Sequence, residues 1–193
     1  MTFLKSSVAA LALLPVAAFA QDADENIVVT ASGFEQPRDE TGQAITVIDE
    51  ERLNELQAVS ITDALKTVPG VSIATRGPVG SQSSVFLRGG NSSQTLVLVD
   101  GVRINDPSAP NGAFDFGALL TGNIGRVEVL RGPNSIIWGS QAIGGVINVQ
   151  SIAPTEAMAV RVGAEYGYAD SIKANANLSG TSGIFEEIGR AHV

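Results

Sequence analysis

The chain has 193 residues, 44% hydrophobic and 17% charged, which suits a folded domain with one core of ordinary size. Its 20 acidic against 12 basic side chains give a formal charge of −8, and without clustered Lys and Arg nucleic acid is excluded as a partner. There is no cysteine, so disulfides, a thiol nucleophile and thiolate metal sites are excluded too.

Residues 1–20 read as a signal peptide. Lys5 supplies a short positive region, Val8 to Ala18 is almost wholly apolar, and Ala18-Phe19-Ala20 fits a small-residue cleavage site. The mature chain is then expected to begin at Gln21. A membrane anchor is the alternative, but the run contains Pro15 and falls well short of the roughly 20 apolar residues a spanning helix needs. In residues 21–43 a β-prone burst, Ile27-Val28-Val29-Thr30-Ala31, precedes a polar linker from Phe34 to Gly42 and cannot bury itself locally.

The spacing predicts a strand over Ala44 to Ile48 and a helix through Leu56 with Asp49 as N-cap. A second helix fits Ile61 to Thr67, where Ser60 and Asp63 form a capping-box pattern and Pro69-Gly70 ends the element. Val71 to Ala74 is extended, Arg76 to Ser84 a Gly- and Ser-rich loop, and Val85 to Arg88 a short strand closed by Gly89-Gly90. Thr95 to Val99 and Val102 to Ile104 flank Asp100-Gly101, the signature of a hairpin with a primed turn. Asn105 to Gly117 is a second loop. Val127 to Leu130 and Val146 to Val149 are further strands, joined by a glycine-rich bend with one helical turn near Ser135 to Trp138. Short strands mixed with short helices indicate an α+β domain.

Beyond Pro154 the pattern changes to strict alternation. Met158, Val160, Val162, Ala164, Tyr166 and Tyr168 share one parity, and a second run repeats it with Ile172, Ala174, Ala176 and Leu178. Apolar-out, polar-in strands of about ten residues are what a transmembrane barrel presents to lipid and lumen. A half-buried hairpin of a water-soluble sheet shows the same period. The tail Glu187-Ile188-Gly189-Arg190-Ala191-His192-Val193 continues no element and matches the translation of a common short-read sequencing adapter up to its stop. We therefore expect residues 187–193 to be library-derived and the gene to continue past Phe185 or Glu186, which leaves His192 with no functional claim.

Blocks in the middle of the chain, taken in order, resemble the TonB-dependent outer-membrane receptors. They are Ile27 to Ala31, Leu65 to Val71, Phe86-Leu87-Arg88-Gly89-Gly90, Leu98-Val99-Asp100-Gly101-Val102, Val127 to Pro133, and Trp138-Gly139 with Ala142 to Asn148. The resemblance implies a plug domain at 44–153, α+β with a small mixed β-sheet and short helices. The first β-hairpin of an incomplete transmembrane β-barrel then follows at 156–186. It further implies energy-coupled import of a large nutrient chelate by an N-terminal portion of such a receptor. Likeness is greatest to the cobalamin receptors, at Val28 to Ala31, Phe34 to Arg38 and Phe86 to Asn105. Ferric siderophore receptors share most other blocks, and Pro78 and Val79 depart from the cobalamin pattern, so ligand identity stays open between the two.

The same resemblance assigns roles. Ile27, Val28, Val29, Thr30 and Ala31 look like a Ton box, an extended segment suited to pairing with the sheet edge of a TonB-type periplasmic energy-coupling protein. The alternative is a first strand of the domain itself. Arg88 and Arg131 match arginines that face glutamates on the inner barrel wall, the alternative being solvated surface arginines. Ligand contacts are expected from Arg76, Ser81, Gln82 and Ser83 on the first loop and from Asp106, Asn111 and Asp115 on the second, residue types that turn chemistry explains equally well. Cobalamin or an iron chelate would be the ligand, the outer membrane the location, and the general secretory route the way there.

No cofactor is expected. A calcium site from Asp106 and Asp115 lacks a dense carboxylate pattern. A phosphate cradle is disfavoured around Gly132, Gly139, Gly144 and Gly145, because no Gly-Lys-Ser/Thr follows. A self-contained periplasmic binding or adaptor module ending near residue 155 is a competing class. An enzyme has no His, Cys or paired carboxylates placed for chemistry.

Overall fold

The computed structural model describes residues 27–28, 33–34, 36–106, 108–109, 111–153, 159–166, 172–182 and 185–192. The expected signal peptide and residues 29–31 lie outside them. The elements begin with β1 (Ile27–Val28), β2 (Gln36–Pro37), β3 (Ala44–Asp49), α1 (Glu50–Glu55), α2 (Ile61–Leu65), β4 (Val71–Thr75), β5 (Ser83–Leu87), β6 (Thr95–Val99) and β7 (Val102–Arg103). They continue with β8 (Ile124–Arg131), α3 (Ser135–Trp138), β9 (Gly145–Ser151), β10 (Ala159–Tyr166), β11 (Ile172–Ser182) and β12 (Phe185–His192).

A five-stranded sheet in the order β3-β8-β9-β6-β7 organises the domain. It is mixed, because β6 and β9 run parallel while every other pair is antiparallel. Period-two alternation divides its side chains between two faces. On one face Ile48, Val97, Val127, Val129, Ile147 and Val149 pack with Leu53 of α1, Ile61 and Leu65 of α2, Val85 and Leu87 of β5, and Phe116. On the other, Ile45, Leu96, Leu98, Leu130 and Val146 are covered by Ala142 and Trp138 from the segment after β8. Both faces are occupied, which is why β6 reads as a near-continuous apolar run.

Local signals explain most element ends. Asp49 caps α1 by accepting from the Arg52 N–H at 2.7 Å. At α2 the Asp63 carboxylate accepts from the Ser60 N–H at 3.3 Å and from its hydroxyl at 3.0 Å. Asp100 and Gly101 take φ +49 and +78 at the β6–β7 turn, as a primed turn requires. Gly145 opens β9 at φ +150, and a Cβ there would stand 2.2 Å from the Leu130 carbonyl oxygen, so the backbones meet with no room for a side chain.

Three expectations change. The loop after Arg76 ends before Ser83, which is drawn into β5 by its register with Thr75. Although residues 187–193 are expected to continue no element, Phe185–His192 form β12 and pair with β11, so the open sheet has the order β10-β11-β12 rather than a lone hairpin. An exposed strand edge offers unpaired backbone groups to any extended segment, whatever its side chains. Ile27–Val28 is also already paired, antiparallel to Gln36–Pro37.

Candidate functional site: two loops and an arginine corner

The two loops expected to face a ligand are tied together by one carboxylate. Asp115 Oδ1 accepts from the Ser83 N–H at 2.8 Å and from the Gly117 N–H at 2.9 Å. Gly117 passes so close to the first loop that a Cβ would stand 2.2 Å from the Ser81 carbonyl oxygen. Ser83 itself is 3% exposed, and its hydroxyl donates to the Ser81 carbonyl at 3.0 Å and to Thr75 Oγ1 at 3.3 Å. Buried Ser83 and exposed Asp115 therefore hold the loops in register through their backbone and side-chain bonds.

Outward residues remain on each loop. Arg76, Gln82, Asp106 and Asn111 are exposed, and Ser81 is half-buried. Asp106 Oδ1 accepts from the Ser108 hydroxyl at 2.6 Å and its N–H at 2.8 Å, bonds that hold its pKa below the ordinary carboxylate value. Asn111 Oδ1 accepts from the Ala113 N–H at 3.4 Å. The structure thus joins Ser81, Ser83 and Asp115 at one seam and places Asp106 and Asn111 further along the second loop. Among the described residues no three His, Asp or Glu side chains gather as a metal site.

Sequence reasoning missed the residue that launches the second loop. Buried Asn105 accepts from the Val97 N–H at 2.8 Å and donates to the carbonyls of Thr95 at 3.0 Å and Gly112 at 3.2 Å. Its side chain extends the sheet edge beyond β7 and pins the loop's far side. The only signal in the sequence was an Asn directly after a strand, which turn chemistry absorbs. Beside it, Arg103, Asn105, Gly139, Ser140 and Gln141 line an open recess of about 620 Å³.

Arg88 and Arg131 meet at one corner of the domain although 43 positions separate them in the chain. Arg88 adopts φ +50, its N–H donates to the Gly70 carbonyl at 2.8 Å, and its side chain lies along Gly132. Arg131 Nη1 donates to the Pro69 carbonyl at 3.0 Å. That bond engages one of a guanidinium's five donors. Deeper in the sheet, on the same face as Leu130, Glu128 is 1% exposed and pairs with Arg126 at 3.1 Å.

Against known proteins, residues 37–146 match the model of the TonB-dependent receptor plug domain. The chain belongs to this family. The chain is 46% identical over 143 residues to the vitamin B12 transporter BtuB of Vibrio vulnificus, an alignment covering 73% of this chain and 23% of that relative. Among solved structures it resembles the ferripyoverdine receptor of the Pseudomonas aeruginosa outer membrane, with a TM-score of 0.69 and 23% identity over 86% of this chain and 22% of that one. It also resembles the ferric-catecholate import receptor Fiu of E. coli K12, with a TM-score of 0.63 and 26% identity over 84% of this chain and 23% of that one. The chain thus spans about a quarter of the length of the proteins it matches.

Proposed function

We propose that this chain is the plug-bearing front of an outer-membrane receptor that imports a large nutrient chelate, cobalamin by first choice, with energy from a TonB-type periplasmic protein. The observation that carries this reading is the 46% identity to a vitamin B12 transporter over 143 residues of the chain. In it, Arg76, Ser81, Gln82, Asp106 and Asn111 hydrogen-bond the ligand, and Ser83 and Asp115 keep the two loops in a fixed relation so that the ligand meets a prepared surface. Arg88 and Arg131 face carboxylates of the barrel wall from their shared corner, and Ile27 to Ala31 adds a strand to the partner's sheet. The exposed Val160, Val162 and Leu178, all of the apolar parity, suit a lipid-facing strand surface.

Ferric siderophore uptake is the second reading, favoured by the likeness to a ferripyoverdine receptor and to a ferric-catecholate import receptor. Equilibrium binding to the full-length gene product decides between them. Saturable binding of cyanocobalamin with none for iron chelates is the expected result. Saturable binding of an iron chelate alone would replace cobalamin with the second reading.

A further inference from the structure

The side-chain carbonyl of an asparagine or aspartate can be attacked by the backbone nitrogen of the next residue, and a glycine there leaves that nitrogen unshielded. The chain holds two such pairs, Asp100-Gly101 and Asn111-Gly112. Asp100-Gly101 is guarded. Ser151 donates to both carboxylate oxygens of Asp100, from its N–H to Oδ1 at 2.7 Å and from its hydroxyl to Oδ2 at 2.8 Å. The Asp100 N–H in turn donates to the Val149 carbonyl at 2.9 Å. A carboxylate is besides a weaker electrophile than an amide.

Asn111-Gly112 is open. Asn111 is exposed on the second loop, and among the described residues its amide nitrogen, the leaving group, has no partner. The long bond from the Ala113 N–H to its Oδ1, at 3.4 Å, closes an Asx turn that folds the side chain back over the Asn111–Gly112 peptide. Gly112 takes φ +67, and its N–H makes one bond, to the Ala109 carbonyl at 3.0 Å within the same turn. A single backbone bond in an exposed turn opens at little cost.

We propose that Asn111 is a site of spontaneous deamidation. The Gly112 nitrogen bonds to Asn111 Cγ, the Cγ–Nδ2 bond breaks, and ammonia departs with the Gly112 proton, leaving a five-membered succinimide. Water then opens the ring. Cleavage of the new bond at Cγ gives aspartate in the ordinary backbone, whereas cleavage at the Asn111 carbonyl carbon gives isoaspartate, whose backbone is one carbon longer. Either product exchanges two N–H donors for a negative charge, on a chain already at −8. Isoaspartate also displaces Gly112, whose carbonyl accepts from Asn105 Nδ2 at 3.2 Å, and so loosens the bond that holds the far side of the loop. On the reading above that makes Asn111 a ligand contact, and only on it, the modified loop also binds its chelate less tightly.

The test holds the 193-residue chain in mildly alkaline buffer at physiological temperature, folded or unfolded in urea, and maps the products by peptide mass spectrometry with isoaspartyl methyltransferase labelling. Asn111 is expected to convert, with isoaspartate in excess over aspartate, at a folded-state rate within about threefold of that in urea. Asp100 should form isoaspartate about tenfold more slowly folded than unfolded, and Ser151→Ala should remove most of that protection. Asn111→Gln, whose longer side chain cannot close the five-membered ring, should leave position 111 unmodified. A folded chain that keeps Asn111 as intact as Asp100, while urea exposes both, would overturn the proposal. In the full-length gene product, conversion is expected to weaken cyanocobalamin binding about fivefold, and Asn111→Gln to hold its affinity through the same incubation. Conversion without that loss overturns Asn111 as a ligand contact and leaves the modification standing, whereas no saturable binding by the fresh protein removes the cobalamin reading alone.

Discussion

Single residues carry more of this domain's precision than their exposure suggests. Asp115 is exposed as a residue, yet its Oδ1 serves the N–H groups of Ser83 and Gly117 and so fixes two loops at once. Asp115→Ala leaves the Ser83 N–H in a buried setting without its acceptor, which costs about 1–3 kcal/mol. Asp115→Asn, which retains Oδ1, should recover most of that in urea denaturation. Glu128 is the opposite case, a buried charge at a strand centre beside Arg126. Glu128→Leu alone is expected to destabilise by roughly 3 kcal/mol, because it removes the buried member of an ion pair at a strand centre. Adding Arg126→Leu should restore most of the loss in the same measurement, and a double variant no more stable than the single one would refute this account of the pair.

At the scale of elements, short helices depend on their ends. α2 has five residues, too few to persist on intrinsic propensity, and its first turn is held by Asp63 reaching back to Ser60. Burial opposes ionisation of Asp63, but hydrogen bonds from Lys66 and Ser60 outweigh it and leave its pKa below the usual 3.8. A carboxyl whose folded pKa is depressed stabilises the fold above its unfolded value and loses that contribution as pH falls through the folded one. Thermal midpoints measured from pH 6 down past pH ~3.8 should therefore fall less for Asp63→Ala than for the parent chain. At neutral pH the same substitution costs about 1 kcal/mol. Capping residues, the Asp100-Gly101 turn and strand alternation were all legible in the sequence because each acts within a few positions of itself. Ser83 was not, because its place in β5 is set by register with Thr75 in another strand.

Across the whole molecule, the five-stranded sheet and the β10-β11-β12 sheet share no hydrogen-bonded strand among the described residues. A chain ending at Ala153 keeps both core clusters and is expected to unfold cooperatively with a thermal midpoint close to that of the 193-residue chain. Loss of cooperativity would show that the β10-β11-β12 sheet supports the plug.

By itself the sequence determined the α+β class, the helix starts, the primed hairpin, the alternating strands and the family, since all of these are written in local chemistry or in ordered motifs. Only the tertiary structure decided that β6 and β9 lie side by side in parallel, that Asp115 belongs to both loops, and that Arg88 and Arg131 share a corner. These are contacts between residues far apart in the chain. Their partners are chosen by the closing of the sheet and its two packed faces, and no periodicity along the sequence records them.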